Sequence, residues 1–152
     1  MDCIVEKEIS QGTIEQIYSI AKDYTKDYFT EDFPDDMLID MQFQRAIYLK
    51  DGAEIISCII FTCLDGSPHI TLMATKRAYN SKGYGKLLMQ HFVNHVSELG
   101  LNSIELYTFS EETKPLNIST IRFYEKAGFK VVRVCKDLWG IGVTPIKMRK
   151  NW

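Results

Sequence analysis

The 152-residue sequence lacks the features that mark several common classes of protein. No apolar run approaches the ~18 residues that a membrane-spanning helix needs, so no membrane contact is expected. The first ten residues carry acids where a secretory signal would have a basic and then an apolar stretch, which favours a cytoplasmic protein. A net charge of −2 offers no concentrated basic surface, so no nucleic acid partner is predicted.

Metal and nucleotide motifs are also missing. The four cysteines form no CxxC pair and have no histidine nearby, so neither a zinc site nor a thioredoxin-type site is predicted, and no metal is expected. Cys58 and Cys63 lie in a predicted strand, where buried free thiols are common. No Gly-Lys-Ser/Thr sequence ends a glycine-rich loop, and the third glycine of a dinucleotide fingerprint is absent.

The first half of the chain combines helices with a run of strands. Thr13 followed by Gln16 is a capping-box signature. A helix follows it, with apolar residues at helical spacing: Ile14, Ile17, Tyr18, Ala21 and Tyr24. A second helix is predicted to start after Pro34. Four strands are predicted in this half: Ile4–Ile9, Arg45–Lys50, Glu54–Leu64 and His69–Thr75. Two turn sequences, Asp51-Gly52 and Asp65-Gly66-Ser67-Pro68, join the last three of them into an antiparallel meander.

The second half alternates strands and helices. A loop at Asn80–Gly85 leads into a helix that Gly100 is placed to end. The later elements are a strand at Ser103–Phe109, a helix at Asn117–Lys126, a strand at Phe129–Asp137 and a tail that returns as a strand. This order predicts an α+β fold in one domain, residues 1–152. Its mixed sheet is antiparallel in the first half and partly parallel in the second, with helices on both faces.

The most informative segment is the loop before the predicted third helix. Gly83 and Gly85 stand at alternate positions at the start of that helix, where backbone N–H groups can turn outward together. With the helix dipole behind them, they form a site for a phosphate group, and Lys82 and Lys86 add positive charge. The alternative is a tight strand-to-helix turn that requires residues without Cβ.

A second motif, Asn117 to Phe129, follows on the predicted last helix. Asn117, Thr120, Ile121 and Tyr124 share one stripe of that helix, so a polar group and a phenol can face the same cleft. The alternative is an amphipathic helix with a core tyrosine and a glycine cap.

In this order and spacing the two motifs resemble those of the GNAT acetyltransferase superfamily. The loop Asn80-Ser81-Lys82-Gly83-Tyr84-Gly85 corresponds to the family's Arg/Gln-x-x-Gly-x-Gly/Ala. The segment Asn117 to Phe129 corresponds to its Asn-x-x-Ala-x-x-x-Tyr-Glu-Lys-x-Gly-Phe helix, and Met73-Ala74-Thr75 to its apolar-Ala-Val triplet. Asn80 and Thr120 depart from the pattern, since the family usually has Arg or Gln and Ala there.

The resemblance implies a sheet of about seven strands that splits between two parallel strands and holds acetyl-CoA. The pantetheine amides would pair with the backbone of Met73, Ala74 and Thr75, and Asn117 would contact the same arm. The diphosphate would lie on the loop: Asn80, Ser81, Lys82, Gly83, Tyr84, Gly85 and Lys86. Tyr124 would approach the cofactor sulfur.

The implied reaction passes acetyl directly from the thioester to an amine. Tyr124 is our candidate acid for the departing thiolate, because a phenol of pKa ~10 is a reasonable donor to it. Glu105 is the candidate base, since strand alternation puts it on the same face as Tyr107, where some family members carry a Glu or His base. His69 and solvent are the alternatives.

Acceptor residues are predicted on three segments. The segment from Tyr28 to Asp36, between the first two helices, combines aromatic side chains with four acids, and carboxylates and rings together suit a cationic amine. The alternative is an exposed acidic loop followed by a helix N-terminus. The predicted acceptor residues are Phe29, Glu31, Asp32, Tyr107 and Trp139. The predicted protein is an acetyl-CoA-dependent N-acetyltransferase, monomeric or homodimeric. The alternative is a non-catalytic CoA-binding or regulatory module, which the departure at Asn80 motivates.

Overall fold

The computed structural model describes residues 1–25 and 28–152. Its seven strands form one sheet: Asp2–Glu6 (β1), Arg45–Asp51 (β2), Glu54–Leu64 (β3), Ser67–Thr75 (β4), Ser103–Phe109 (β5), Lys130–Val134 (β6) and Pro145–Asn151 (β7). Its helices are Gln11–Asp23 (α1), Thr25–Tyr28 (α2), Phe33–Asp40 (α3), Tyr84–Glu98 (α4) and Ile118–Lys126 (α5). Arg77–Tyr79 and Pro115–Asn117 form single 3-10 turns.

The strand order is β1-β2-β3-β4-β5-β7-β6, which confirms the predicted seven-stranded mixed sheet. The first three strands pair antiparallel, whereas β4 and β5 are parallel through His69–Glu105 and Ile70–Leu106. β7 pairs antiparallel with both β5 and β6. The chain forms two compact units, residues 1–62 with 71–95 and residues 63–70 with 96–152, so the chain passes from one unit to the other within β3, β4 and α4.

The first unit is layered on both faces of β3. One face contributes Cys58 and Ile60 to a cluster that the buried stripe of α1 completes, including Ile17 and Ala21. Phe61 points to the opposite face, since side chains alternate along a strand. Its ring lies 4.8 Å from that of Phe92 on α4. Burial on both faces explains why seven consecutive residues of β3 are buried.

The start of α1 differs from the sequence prediction. The capping box is wrong: the helix begins at Gln11, and Gln16 bonds to the β2–β3 turn at Ala53 and Ile55 instead of reaching back. The carboxylate of Glu6, at the end of β1, accepts from the Ser10 N–H and the Thr13 hydroxyl. The strand therefore ends earlier than predicted, and its last side chain binds the N-cap residue Ser10 and Thr13 in the first turn of the helix.

The second unit is built around β5, β7 and α5. Ile104 and Leu106 of β5 are buried, and the alternate residues Glu105 and Tyr107 face the other side. β6 is the edge strand and is exposed along its whole length. It is shorter than the predicted strand from Phe129 to Asp137, because the chain leaves the sheet after Val134 and returns only at Pro145.

Candidate active site

The phosphate loop predicted from the glycines adopts a conformation that exposes backbone donors. After the turn at Arg77–Tyr79, Ser81 and Gly83 both take positive φ angles, 60° and 87°, and α4 begins at Tyr84. Among the residues that the structure describes, no acceptor takes the N–H groups of residues 81–86. The first N–H groups of a helix have no partner inside it, and they carry the positive end of its dipole.

Positive charge surrounds these donors. The side chains of Lys82 and Lys86 are exposed, and Lys82 Nζ lies 5.8 Å from the ring centre of Tyr79. Free N–H groups, a helix N-terminus and two lysines together favour an anion. The loop thus has the chemistry that a diphosphate requires.

Asn80 is exposed, but its side chain is bound within the protein. Its Nδ2 donates to the Tyr24 hydroxyl over 2.8 Å, and that hydroxyl donates to the Thr75 carbonyl over 2.5 Å. Sequence reasoning placed Tyr24 on the apolar stripe of the first helix and missed this polar contact. Helical spacing shows that a residue faces the core, but it does not show what the far end of a tyrosine meets.

The end of β4 is held from the side of β3. Lys76 N–H donates to Ile56 O over 2.8 Å, and the Thr75 hydroxyl lies 2.8 Å from the Ser57 hydroxyl. Ala74 is buried, whereas Met73 and Thr75 are partly exposed. The three residues of the predicted pantetheine segment therefore lie on a firmly anchored strand end.

A cavity of about 620 Å³ opens among the first three helices. It is lined by Tyr18, Lys22, Thr25, Phe29, Glu31, Pro34 and Asp35. Two of the predicted acceptor residues, Phe29 and Glu31, line it, whereas Asp32 does not and instead occupies the N-cap of α3. Tyr18 was not predicted here, and Asp35 belongs to the predicted acidic segment but was not among the named acceptor residues. Their pairing, with Tyr18 donating to Asp35 over 3.1 Å, joins positions that are distant in sequence.

The charge of this cavity is mixed but negative on balance. Glu31 and Asp35 contribute two carboxylates, and Lys22 contributes one ammonium group, 5.6 Å from the ring centre of Tyr18. The ring of Phe29 stacks on Phe33 with centroids 4.4 Å apart. Aromatic faces beside carboxylates suit an organic cation.

In the second unit, Tyr124 is buried on α5 and is 6% exposed. Its ring lies 5.4 Å from that of Phe129, edge to face. Within the described residues its hydroxyl makes no hydrogen bond. Burial raises the pKa of Tyr124 above its ordinary value, so the phenol stays protonated throughout the physiological range.

Asn117, predicted to contact the pantetheine arm, is buried at the start of α5. Its Nδ2 donates to the Thr108 hydroxyl over 2.8 Å and to the Phe109 carbonyl over 2.7 Å. These bonds tie α5 to the end of β5. The side-chain amide therefore uses its donors within the protein, which leaves its carbonyl oxygen as the group able to meet a ligand.

Glu105 is held between two cations of β7. It forms an ion pair with Lys147 over 2.9 Å and another with Arg149, and its side chain is 10% exposed. Burial alone would raise the pKa of Glu105, but the bonds and charges of Lys147 and Arg149 outweigh it and lower that pKa. A carboxylate with a lowered pKa is a weaker base, so these contacts favour a structural task over the predicted catalytic one.

His69 and Tyr107 lie beside this ion pair. Their ring centroids are 5.3 Å apart, and Arg133 reaches the Tyr107 hydroxyl at 3.5 Å. Burial lowers the pKa of His69, which keeps the imidazole neutral near pH 7. Trp139, in the loop before β7, is 42% exposed and meets the ring of Phe109 edge-on at 5.0 Å.

Among the described residues no three His, Cys, Asp or Glu side chains are grouped as a metal ion would require. None of the helices described here has the length and apolar character needed to cross a bilayer.

A sequence model of the acetyltransferase (GNAT) family matches residues 14–129 of this chain. The chain belongs to the GNAT family. The matched range includes the phosphate loop, β5 and α5, whereas Trp139 and the two cations that hold Glu105 lie beyond it. No curated protein sequence is similar enough to count as a relative.

GNAT proteins also share the fold. A GNAT-family protein from Desulfovibrio desulfuricans is 16% identical, with a TM-score of 0.84 over 99% of both chains. An aminoglycoside 6′-N-acetyltransferase complexed with coenzyme A is 16% identical, with a TM-score of 0.77 over 97% of this chain and 96% of the other. The ribosomal-protein-S18-alanine N-acetyltransferase from Escherichia coli is 14% identical, with a TM-score of 0.71 over 99% and 94%. At these identities the likeness establishes the fold alone.

Proposed function

We propose that this GNAT protein is an acetyl-CoA-dependent N-acetyltransferase that passes acetyl directly to a primary amine in a ternary complex. The observation that carries the proposal is the row of N–H groups at residues 81–86, at the head of α4, which have no acceptor among the described residues. A diphosphate supplies the acceptors that these donors lack. The solved aminoglycoside acetyltransferase with bound coenzyme A supports the choice of ligand. We further propose that residues 1–152 act as one catalytic domain.

The proposed cofactor contacts follow the sequence motifs. The backbone of Met73, Ala74 and Thr75 would bind the pantetheine amides, and the Asn117 carbonyl oxygen would meet the same arm. The loop from Ser81 to Lys86 would bind the diphosphate through its N–H groups and lysines. The anchoring of Thr75 and Asn117 supports this assignment, because rigid groups lose little entropy on binding.

In the proposed reaction the amine nitrogen attacks the thioester carbonyl carbon, and the carbon–sulfur bond breaks. Tyr124 donates a hydrogen bond, and then its proton, to the departing thiolate. The phenol regains its proton from solvent. The Tyr124 hydroxyl has no competing acceptor in the part of the chain that the structure describes, which supports this role. Its raised pKa ensures that it carries the proton when the thiolate forms.

The amine must be neutral to attack. Neutralising a lysine-type amine of pKa ~10.4 at pH 7 costs about 4.6 kcal/mol, whereas an α-amine near 8 costs about 1 kcal/mol. The ion pairs of Glu105 make it a poor base, so we propose that neutral His69 or solvent takes the proton and that Glu105 positions Lys147 and Arg149.

We propose a cationic amine as the acceptor class and the cavity among α1, α2 and α3 as the place that selects it. Glu31 and Asp35 would attract the cation, and Phe29 and Tyr18 would provide aromatic faces. Tyr107 and Trp139 remain proposed acceptor contacts on the second unit. A preference for neutral or acidic acceptors in an amine panel would contradict this choice.

The decisive experiment has two steps. Calorimetric titration of the purified protein with acetyl-CoA tests the cofactor, and a thiol-release assay across an amine panel then tests the transfer. The proposal predicts binding, followed by acceptor-dependent release. Binding without thiol release with every acceptor would indicate a CoA-binding module. The contact of the Asn80 side chain with Tyr24 is the observation that supports this alternative. Failure to bind acetyl-CoA would exclude both.

A further inference from the structure

We infer that Tyr24 is a positioning residue for the diphosphate of acetyl-CoA: its hydroxyl fastens the phosphate loop to the end of β4 through Asn80 and Thr75. The inference rests on the proposed function, since it takes the loop at residues 81–86 as the diphosphate site. It adds a residue from α1, far away in sequence, to the machinery that sets cofactor affinity.

The direction of each hydrogen bond is fixed by chemistry. The Thr75 carbonyl can only accept, and the Asn80 amide nitrogen can only donate. The Tyr24 hydroxyl therefore donates to Thr75 O over 2.5 Å and accepts from Asn80 Nδ2 over 2.8 Å. The two bonds form a chain from the strand to the loop through one side chain. A phenylalanine at position 24 would break both links.

The Thr75 carbonyl, which accepts the hydrogen bond from Tyr24, points away from β3. Lys76 donates its N–H to Ile56 O on β3, and in a trans peptide the preceding carbonyl points the opposite way. The Thr75 carbonyl is thus turned away from β3. Tyr24 supplies the donor, so the last carbonyl of β4 is fixed before any ligand arrives.

Asn80, which donates a hydrogen bond to the Tyr24 hydroxyl, directly precedes the proposed diphosphate site. Asn80 is extended, with φ −62° and ψ 151°, and Ser81 follows in the left-handed region at φ 60°. Few residues other than glycine hold such an angle without help. Anchoring the Asn80 side chain limits the rotation of the peptides that follow. The N–H groups of residues 81–86 then need less ordering when a diphosphate binds.

Tyr24 is itself held in place. Its ring lies under the guanidinium of Arg77, 4.4 Å from ring centre to Cζ, and Arg77 donates to the Asp23 carbonyl over 2.6 Å. Tyr24 is 8% exposed at the end of α1. The hydroxyl therefore reaches the loop from a buried ring and a fixed backbone.

The test compares two ligands in four proteins: wild type, Tyr24→Phe, Asn80→Ala and the double variant. One neutral hydrogen bond changes an equilibrium constant by a factor of about 2 to 10. Each single variant is therefore expected to bind coenzyme A about tenfold more weakly. The double variant is expected to bind no more weakly than the weaker single variant, because both changes break the same chain. S-acetylpantetheine lacks the diphosphate, so its affinity is expected to stay unchanged in Asn80→Ala. In Tyr24→Phe, which also frees the Thr75 carbonyl, its affinity is expected to fall less than that for coenzyme A.

Tyr28→Phe is the matched control, since it removes a hydroxyl from the ring that meets Tyr24 edge-on at 5.8 Å. It is expected to bind both ligands as the wild type does. Calorimetry gives the coenzyme A affinities, and chemical-shift titration gives those for S-acetylpantetheine. If Tyr24→Phe does not fold, Asn80→Ala breaks the same link from the exposed side of the loop.

Three outcomes would overturn the inference. Unchanged coenzyme A affinity in folded Tyr24→Phe and Asn80→Ala would show that the chain does not act on the loop. An equal loss of affinity for both ligands would show that Tyr24 acts only through general packing. A wild-type protein that binds no coenzyme A would instead refute the proposed function and this inference together.

Discussion

Tyr124 shows how burial can prepare a side chain for one chemical role. Removing a phenol from water raises its pKa, which makes it a weaker acid than free tyrosine but keeps its proton available. The hydroxyl has no partner among the described residues, so a thiolate formed beside it would be the first acceptor that it meets.

We therefore expect Tyr124→Phe to lower kcat by about 100-fold, the lower end of the effect of a general acid, and to leave the Kd for acetyl-CoA unchanged. Stopped-time assays of thiol release and calorimetry provide the two numbers. The fold should persist, because the variant keeps the ring that packs on Phe129. An unchanged kcat would remove Tyr124 from the mechanism.

Glu105 illustrates the opposite case, a carboxylate whose partners hold it charged. Replacing it with Gln would leave Lys147 and Arg149 without their shared anion. We expect Glu105→Gln to lower the free energy of unfolding by about 1–2 kcal/mol, a moderate value because the Arg149 side chain is 39% exposed and screened by solvent. Urea unfolding measures it, with the exposed Glu125→Gln as control.

The difference in stability between wild type and Glu105→Gln depends on pH in a definite direction. The folded protein lowers the pKa of Glu105 below its ordinary value of 4.5. The contribution of the Glu105 ion pairs to the free energy of unfolding is therefore complete above about pH 4.5. It is lost as the pH falls through the folded-state pKa. The gap in stability between wild type and Glu105→Gln should shrink below pH 4.5. A gap that widens on acidification would contradict the ion-pair assignment.

At the scale of elements, the phosphate loop depends on one backbone conformation. Gly83 takes φ 87°, and a Cβ at this position would meet no atom within 4 Å. The cost of a side chain there comes from the backbone angle, about 1–2 kcal/mol, and not from a clash. Relaxation of that angle would turn the following N–H groups away from the anion.

We expect Gly83→Ala to weaken coenzyme A binding about tenfold and to lower stability as well. Gly100→Ala provides the matched control, because Gly100 has a similar φ of 81° and equally open space, but lies after the other end of α4. It should lose the same stability and keep the wild-type affinity. Equal affinities in the two variants would show that the loop geometry does not govern binding.

At the scale of the whole molecule, a bound cofactor should stabilise the native state. A ligand that binds only the folded protein contributes about 2.7 kcal/mol when its concentration is 100 times its Kd. For a domain of ~150 residues, each kcal/mol raises Tm by roughly 2–4 °C. We expect saturating coenzyme A to raise Tm by about 5–11 °C in calorimetric scans. Pantetheine at the same multiple of its own Kd should raise Tm by an equal amount. If neither ligand raises Tm, the result would contradict cofactor binding.

The fold could be predicted well from local signals. The Asp51-Gly52 turn, the alternation in β5 and Gly100 after α4 each act through neighbours in sequence, and the corresponding elements lie where they were expected. The capping-box error arose because residues outside the predicted motif make the contacts. Glu6, from the preceding strand, accepts from the Ser10 N–H and the Thr13 hydroxyl, and Gln16 bonds to Ala53 and Ile55.

The sequence by itself determined the element order, the glycine-bearing loop and the motif that carries Tyr124, because these depend on residues a few positions apart. Only the tertiary structure decided which side chains meet: Tyr24 with Asn80 and Thr75, Tyr18 with Asp35, and Glu105 with the cations of β7. Those contacts follow from strand register and helix placement. Both are set by burial of the whole apolar surface, which no short segment encodes.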